Sequence, residues 1–273
     1  MASDSAGNAS WSTVMRVPTD AGDVWFKANM DALRHEAAVA EIVSRRVPES
    51  LPPLLACDRE SGWMLMADAG EQLRQIIPRE QSLDRWRDVL RQYAEVQLAL
   101  TDSVDELLTA GAPDLRLATL PDKYERLVKE LDVEQRFKDA VPYVAELAER
   151  LAAFGIAETI QHDDLHDGQV FVRDGRYLLM DWGDACVSHP FFTLAVTLEG
   201  QLAWGLDDEE NSVDLVPFRD AYLEPFTDRY DVDLNAAVEL ARRLGWAARA
   251  VNGHVPGEDD SGPRLRMFLD GRA

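Results

Sequence analysis

Residues 161–190 read QHDDLHDGQVFVRDGRYLLMDWGDACVSHP, and this stretch decides the fold. Three of the five histidines of the chain lie in it (His162, His166, His189), together with Asp163, Asp164, Asp167, Asp181 and Asp184. AETIQ just upstream reads as a short strand. VFVRDGRYLLMDW reads as a hairpin, because Asp174-Gly175 between two apolar runs is the strongest short-range hairpin signal. Asp164 thus follows one strand and Asp181 the next hairpin. Side chains at strand ends stand on loops held by rigid backbone, where catalytic groups gather. Phosphoryl transfer needs one carboxylate for the attacking hydroxyl and others for magnesium, since the transferring group is dense in negative charge.

Upstream of this core, STVMRVPT (Ser12 to Thr19) and DVWFKA (Asp23 to Ala28) alternate in polarity around an Asp-Ala-Gly turn, which predicts a β-hairpin. A helix is expected from about Met30 to Arg46, ended by Pro48 and the Pro52-Pro53 pair. A strand, a turn at Glu60-Ser61-Gly62 and a second strand from Trp63 to Met66 follow. From there to about Ala153 apolar residues recur at three- and four-residue steps, as in Trp86, Val89, Leu90, Tyr93, Val96 and Leu100. One long helical segment is expected from Val133 to Phe154, and the chain beyond Pro190 reads as mostly helical. Segregated strands and helices predict an α+β protein with a small sheet lobe and a larger helical lobe.

The 273 residues, 46% hydrophobic and 29% charged, describe a chain with ample material for a core. The polar opening MASDSAGNAS has no secretory pattern, and no apolar run is long enough to span a bilayer. Cys57 and Cys186 stand far apart without metal-ligand spacing, which suits a reducing cytoplasm. A net charge of −22 argues against nucleic acid or an anionic membrane as partner and suits a cationic small molecule, although a merely solubilising acidic surface explains the charge equally well.

HDDLHDGQ, His162 to Gln169, resembles the H-x-D-x-x-x-x-N catalytic loop of kinase-like folds, and its Leu165-His166-x-Gly168 is closer to the aminoglycoside-phosphotransferase version, in the same broad family as choline kinases, than to protein kinases. Asp181-Trp182-Gly183-Asp184 is similar to that family's metal-binding segment. The resemblance implies a protein-kinase-like two-lobed fold: a nucleotide-binding lobe over residues 1–66, a hinge at 67–70 and an acceptor-binding helical lobe over 71–273. It implies an ATP-dependent phosphotransferase, with GTP as another possible donor, acting on a hydroxyl group with Mg²⁺. Asp164 would be the catalytic base, Gln169 and Asp181 the metal ligands, and His162 a brace for the loop. Lys27, one of four lysines and the only one before Lys123, would hold the nucleotide phosphates. Its partner would be Glu36, since Leu33, Glu36, Ala40 and Val43 share a helical stripe while Glu41 points away. Backbone groups of Ala67 and Ala69 would hold the adenine.

Three positions depart from that pattern. Gln169 stands where the family has Asn, keeping the amide one methylene farther out. Asp163 replaces a small residue. Ser5-Ala6-Gly7-Asn8-Ala9 is expected to be a remnant of the phosphate loop, without the strand that precedes it. A kinase-like protein that binds nucleotide without turnover therefore stays open, and so does a metal-dependent hydrolase using His162, Asp164 and His166, which alternate as metal ligands can. The acidic residues 207–210 and Asp214, after Trp204 and Gly205, could face an amino-bearing acceptor or simply form a solvated loop.

Overall fold

A computed structural model describes residues 5–8, 11–254 and 261–271. The first lobe is an antiparallel sheet of five strands, β1 (Ser5–Asn8), β2 (Ser12–Thr19), β3 (Gly22–Asn29), β4 (Leu54–Asp58) and β5 (Trp63–Ala67), in the order β1-β2-β3-β5-β4. The hairpin expected from sequence is β2–β3, with Lys27 opposite Val14 on one side and Met64 on the other. Ser5–Asn8 is therefore an edge strand, with a register shift between Ser5 and Gly7, rather than a remnant of a loop. Pairing with β2 satisfies backbone groups that a free segment would leave to water. Ala9, the last residue of the expected remnant, lies outside the described residues.

Between β3 and β4 runs α1 (His35–Arg46), preceded by a single 3-10 turn at Asp31–Leu33 where one continuous helix was expected. Its alanines let it lie close to the sheet: Ala37, Val39, Ile42 and Val43 are all fully buried. The chain then crosses to the second lobe through Asp68, Ala69 and Gly70 into a short strand, β6 (Glu71–Gln72). Gly70 has φ +88°, and a Cβ there would come within 2.3 Å of the Val172 carbonyl, so only glycine fits this crossing.

The second lobe is built from α2 (Leu73–Glu80), α3 (Arg85–Ala99), α4 (Val104–Thr109), α5 (Leu120–Glu130), α6 (Gln135–Asp139) and α7 (Val141–Ala152). The single helix expected over Val133 to Phe154 is thus two helices broken at Ala140. Pro142, at the start of α7, has no amide to continue the ladder of α6. After these come β7 (Thr159–Gln161), β8 (Val170–Arg173), β9 (Arg176–Leu179) and β10 (Cys186–Ser188). β7 pairs with β10, while β6, β8 and β9 form a three-stranded sheet. The chain ends in α8 (Val216–Thr227), α9 (Leu234–Asn252) and α10 (Ser261–Asp270). The core is centred on Trp86, Tyr93, Trp182, Phe191, Phe192, Tyr222 and Phe226, each at most 1% exposed. Burial of this aromatic cluster is the main support of the helical lobe, since large rings remove the most apolar surface from water. Among the described residues no helix is long and apolar enough to cross a membrane.

Candidate active site

Three chain segments meet where the lobes face each other: β3 with α1, the loop between β7 and β8, and the loop between β9 and β10. Lys27 and Glu36 are 5% and 2% exposed, and Lys27 Nζ donates to Glu36 Oε1 at 2.7 Å and to Asp181 Oδ1 at 2.6 Å. Burial alone would push this ammonium down, but the carboxylates of Glu36 and Asp181 outweigh it and hold the pKa above the ordinary lysine value. Burial raises Glu36, whereas at Asp181 the effect of burial is overcome by Lys27, which holds that carboxyl below its usual value. Glu41, on the other face of α1, pairs with Arg59 at the surface.

The loop carrying Asp164 is fixed from several directions. His162 is fully buried, and its Nε2 donates to the Met180 carbonyl at 2.8 Å, since a carbonyl can only accept. Its own amide donates to the Tyr93 hydroxyl at 2.8 Å. The hydroxyl of Thr197, in a π-helical segment (Ala195–Gln201), donates to the Leu165 carbonyl at 2.9 Å. Backbone bonds complete the frame: the Met180 amide donates to the Gln169 carbonyl at 2.8 Å, and the Arg74 amide to the Asp167 carbonyl at 3.1 Å. Asp163 and Asp181 both adopt the left-handed conformation, each with φ +62°, a region that Asp tolerates better than most side chains. Such backbone is held only where its surroundings over-determine it.

Asp164 itself accepts from Arg249 Nη2 at 3.0 Å and has His166 Nε2 at 3.5 Å. Burial pushes its carboxyl up, but His166 and the Arg249 charge prevail and leave it below the usual carboxylate range, so it is ionised at neutral pH. Hydrogen bonds to Asp164 and Asp167 would push His166 up, to about 9, were both ring nitrogens free to carry protons. Yet the Gly168 amide at 3.0 Å and Arg74 Nη2 at 3.1 Å both converge on its Nδ1. A proton at Nδ1 would confront both donors, so in this arrangement the ring proton belongs on Nε2, aimed at Asp164.

Gln169 Nε2 donates to Asp181 Oδ2 at 3.1 Å, so the longer side chain does reach the aspartate with which it would share a metal. Magnesium commonly takes one or two protein oxygens and completes its shell with phosphates and water. The Asp181 carboxylate and the Gln169 amide fit that demand in donor chemistry. Among the described residues no group of three or more His, Cys, Asp or Glu side chains could hold a metal ion without such help. With His162 Nε2 engaged by Met180, the alternating His162-Asp164-His166 set does not assemble as a hydrolase centre.

At the interlobe connector, the Ala67 amide donates to the Pro53 carbonyl at 3.0 Å, so that amide is already engaged. Between Ala67 and Ala69, Asp68 accepts from Trp25 Nε1 at 3.0 Å and pairs with Arg173, tying the connector to both lobes. Residues 207–210 are exposed, and Asp214 caps the start of α8 through the Val216 amide at 3.0 Å.

The groups around Asp163 are not among those that the sequence motifs single out. That residue is 3% exposed, and its Oδ2 accepts from Asn252 Nδ2 at 2.7 Å and Arg249 Nη1 at 3.2 Å, which accounts for a carboxylate where a small residue was expected. The available signal was helical spacing: Val238, Ala241, Gly245, Arg249 and Asn252 fall on one stripe of α9, an apolar face that carries a guanidinium.

The family model described as the phosphotransferase enzyme family matches residues 8–246 of the chain. No curated protein matches it by sequence. Among solved structures, an ethanolamine kinase of Plasmodium vivax is similar with a TM-score of 0.67 and 11% identity, over 99% of this chain and 81% of that one. A choline kinase of Streptococcus pneumoniae gives 0.65 and 16%, over 99% and 92%. The GDP complex of an aminoglycoside 2'-phosphotransferase gives 0.64 and 15%, over 99% and 91%. At these identities the likeness is one of fold: the α+β, protein-kinase-like arrangement of a small sheet lobe on a larger helical lobe.

Proposed function

This chain belongs to the phosphotransferase enzyme family, and from that premise we propose that it transfers the terminal phosphoryl group of ATP to a hydroxyl group of a small molecule. One observation carries the reading. Lys27 joins Glu36, nine residues away and buried, to Asp181, 154 residues away and half-exposed, a contact with no role in a purely structural lobe interface that apolar side chains could not serve better. An ammonium that bridges the two lobes in this way suits a nucleotide's phosphates.

Lys27, fixed by Glu36, orients and neutralises the phosphates. Asp181 and Gln169 would hold magnesium, which would supply positive charge to offset that of the transferring group. Asp164 accepts the hydrogen bond of the incoming hydroxyl, orients its oxygen toward the phosphorus and takes the proton as the new P–O bond forms and the bond from the γ-phosphorus to the bridging oxygen breaks, releasing ADP. A carboxylate held below its usual pKa is a weak base, so proton transfer comes late and orientation is the larger part of its role. The Ala67 carbonyl and the backbone of Ala69 meet the base of the nucleotide. GTP is a second candidate donor, since similar aminoglycoside 2'-phosphotransferase structures hold GDP. The acceptor class is an amino alcohol or amino sugar: choline kinase, ethanolamine kinase and a kanamycin complex stand among the similar structures, and the net charge of −22 favours a cation. With Cys57 and Cys186 both free, the reducing cytoplasm is the compartment that fits.

The test is a screen of kanamycin, choline and ethanolamine with magnesium and either ATP or GTP, following nucleoside diphosphate release and the mass of the product. A phosphorylated acceptor is expected. Nucleotide binding with no turnover in every combination would replace this reading by a non-catalytic binding module, for which Gln169 in place of Asn is the specific motive.

A further inference from the structure

Three carboxylates converge on a guanidinium to which the chemistry above gives no part beyond its charge beside Asp164. Arg249 of α9 is 8% exposed. Its Nη1 donates to Asp163 Oδ2 at 3.2 Å and Asp184 Oδ2 at 2.9 Å, and its Nη2 to Asp164 Oδ1 at 3.0 Å. Three residues on, Asn252 Nδ2 donates to Asp163 Oδ2 and to the Asp184 carbonyl, both at 2.7 Å. Both residues lie beyond the stretch 8–246 that the family model matches.

We propose that Arg249, seconded by Asn252, is the positioning residue of the phosphoryl transfer: it locks the loop of Asp164 to the loop of Asp181 and so sets where the base stands relative to the phosphates. This rests on the reading of Asp164 as the base. Asp163 and Asp164 belong to one loop, Asp184 to the other, and the guanidinium touches all three. Left alone, the three carboxylates would repel one another and spread. A planar fork with donors on two arms can satisfy them together, whereas the compact ammonium of a lysine cannot span them. The helix presents that fork rigidly. Gly245, one turn before Arg249, packs so close to the segment 190–195 that a Cβ there would lie 3.1 Å from Ala195 Cβ and 3.2 Å from the Phe192 carbonyl. A buried charge cluster adds little net stability compared with apolar packing, so its use here is geometric.

Arg249→Lys and Asn252→Ala, in the full chain, test this in two ways. With magnesium-ATP and whichever of kanamycin, choline or ethanolamine the wild type phosphorylates, Arg249→Lys should lower kcat by about 100-fold, the scale of an ångström-level misplacement, while the Kd for ATP stays within about 3-fold. Hydrogen exchange followed by mass spectrometry should show amides of His162–Gln169 exchanging at least ~10-fold faster, with β3 and α3 as protected as in the wild type. Asn252→Ala should move both readouts in the same direction by about 10-fold or less, and decides the matter if Arg249→Lys fails to fold. A kcat within about 3-fold of wild type, or unchanged exchange in the catalytic loop, would overturn the proposal. A wild type that phosphorylates none of these acceptors counts against the proposed function, and the exchange measurement then decides the role of Arg249 by itself.

Discussion

At one end of the site a lysine gathers two carboxylates, and at the other an arginine gathers three. Lys27 with Glu36 and Asp181 carries a net charge of −1, and Arg249 with Asp163, Asp164 and Asp184 carries −2. The cations differ in what they can release. An ammonium is a point charge with rotatable donors, so Lys27 can turn toward a phosphate while keeping Glu36, and the half-exposed Asp181 beside it is free to change partners. A guanidinium fork engaged on both arms has no such freedom. On the proposed function, the first is a binding end, whose contacts would exchange with ligand, and the second a framing end, whose contacts would persist.

The sharpest way to break this division is Asp164→Asn. It keeps the shape and an acceptor for Arg249 but removes the proton-accepting charge, so turnover should fall by about 10²–10⁴-fold with nucleotide affinity within a few-fold. Turnover near wild type in a steady-state assay would remove Asp164 from the chemistry. Lys27→Met acts at the other end. It should weaken nucleotide binding and, by leaving Glu36 charged and unpaired in the interior, destabilise the fold by about 3–5 kcal/mol in chemical denaturation at neutral pH.

A third test separates the ends by pH. Burial raises the Asp163 carboxyl from 3.8 to about 6, so between those values the folded chain keeps a proton that the unfolded chain has released. The contribution of Asp163 to stability is therefore full below pH 3.8 and is lost as the pH rises through about 6. Asp163→Asn removes that component. Relative to this variant the wild type should lose about 3 kcal/mol across the window, read as the difference between two denaturation series. A flat difference would show that Arg249 and Asn252 hold Asp163 ionised throughout. The smallest effect is expected for Gln169→Asn, which restores the family's amide: a change in kcat of a few-fold, in a direction that shows whether the longer arm limits the metal site.

Legibility in the sequence followed chemical rarity. Lys27 stood out because lysines are few, and Asp164 and Asp181 because they sit in two linked motifs at strand ends. The β2–β3 and β8–β9 hairpins were readable from alternation and turn residues, which are local. What escaped was non-local or cumulative. The strand at Ser5–Asn8 has no strand-like pattern of its own and exists because β2 offers it an edge. The break at Ala140 depends on one missing amide within an otherwise helical rhythm. Arg249 was hidden among many arginines, and Asp163 had no evident partner, because that partner lies 86 positions further along the chain.

By itself, then, the amino-acid sequence determined the α+β class, the order of strands and helices around the two aspartates, and the candidate groups on which the proposed phosphoryl transfer is built. Local spacing and side-chain chemistry suffice for that. Only the tertiary structure decided what each aspartate touches. It turned Asp163 inward, brought a C-terminal guanidinium onto Asp164, and left Lys27 shared between the lobes. The reason is physical: the pairing of buried charges depends on which distant segments the aromatic core brings within about 3 Å, the reach of a hydrogen bond, and no local pattern encodes it.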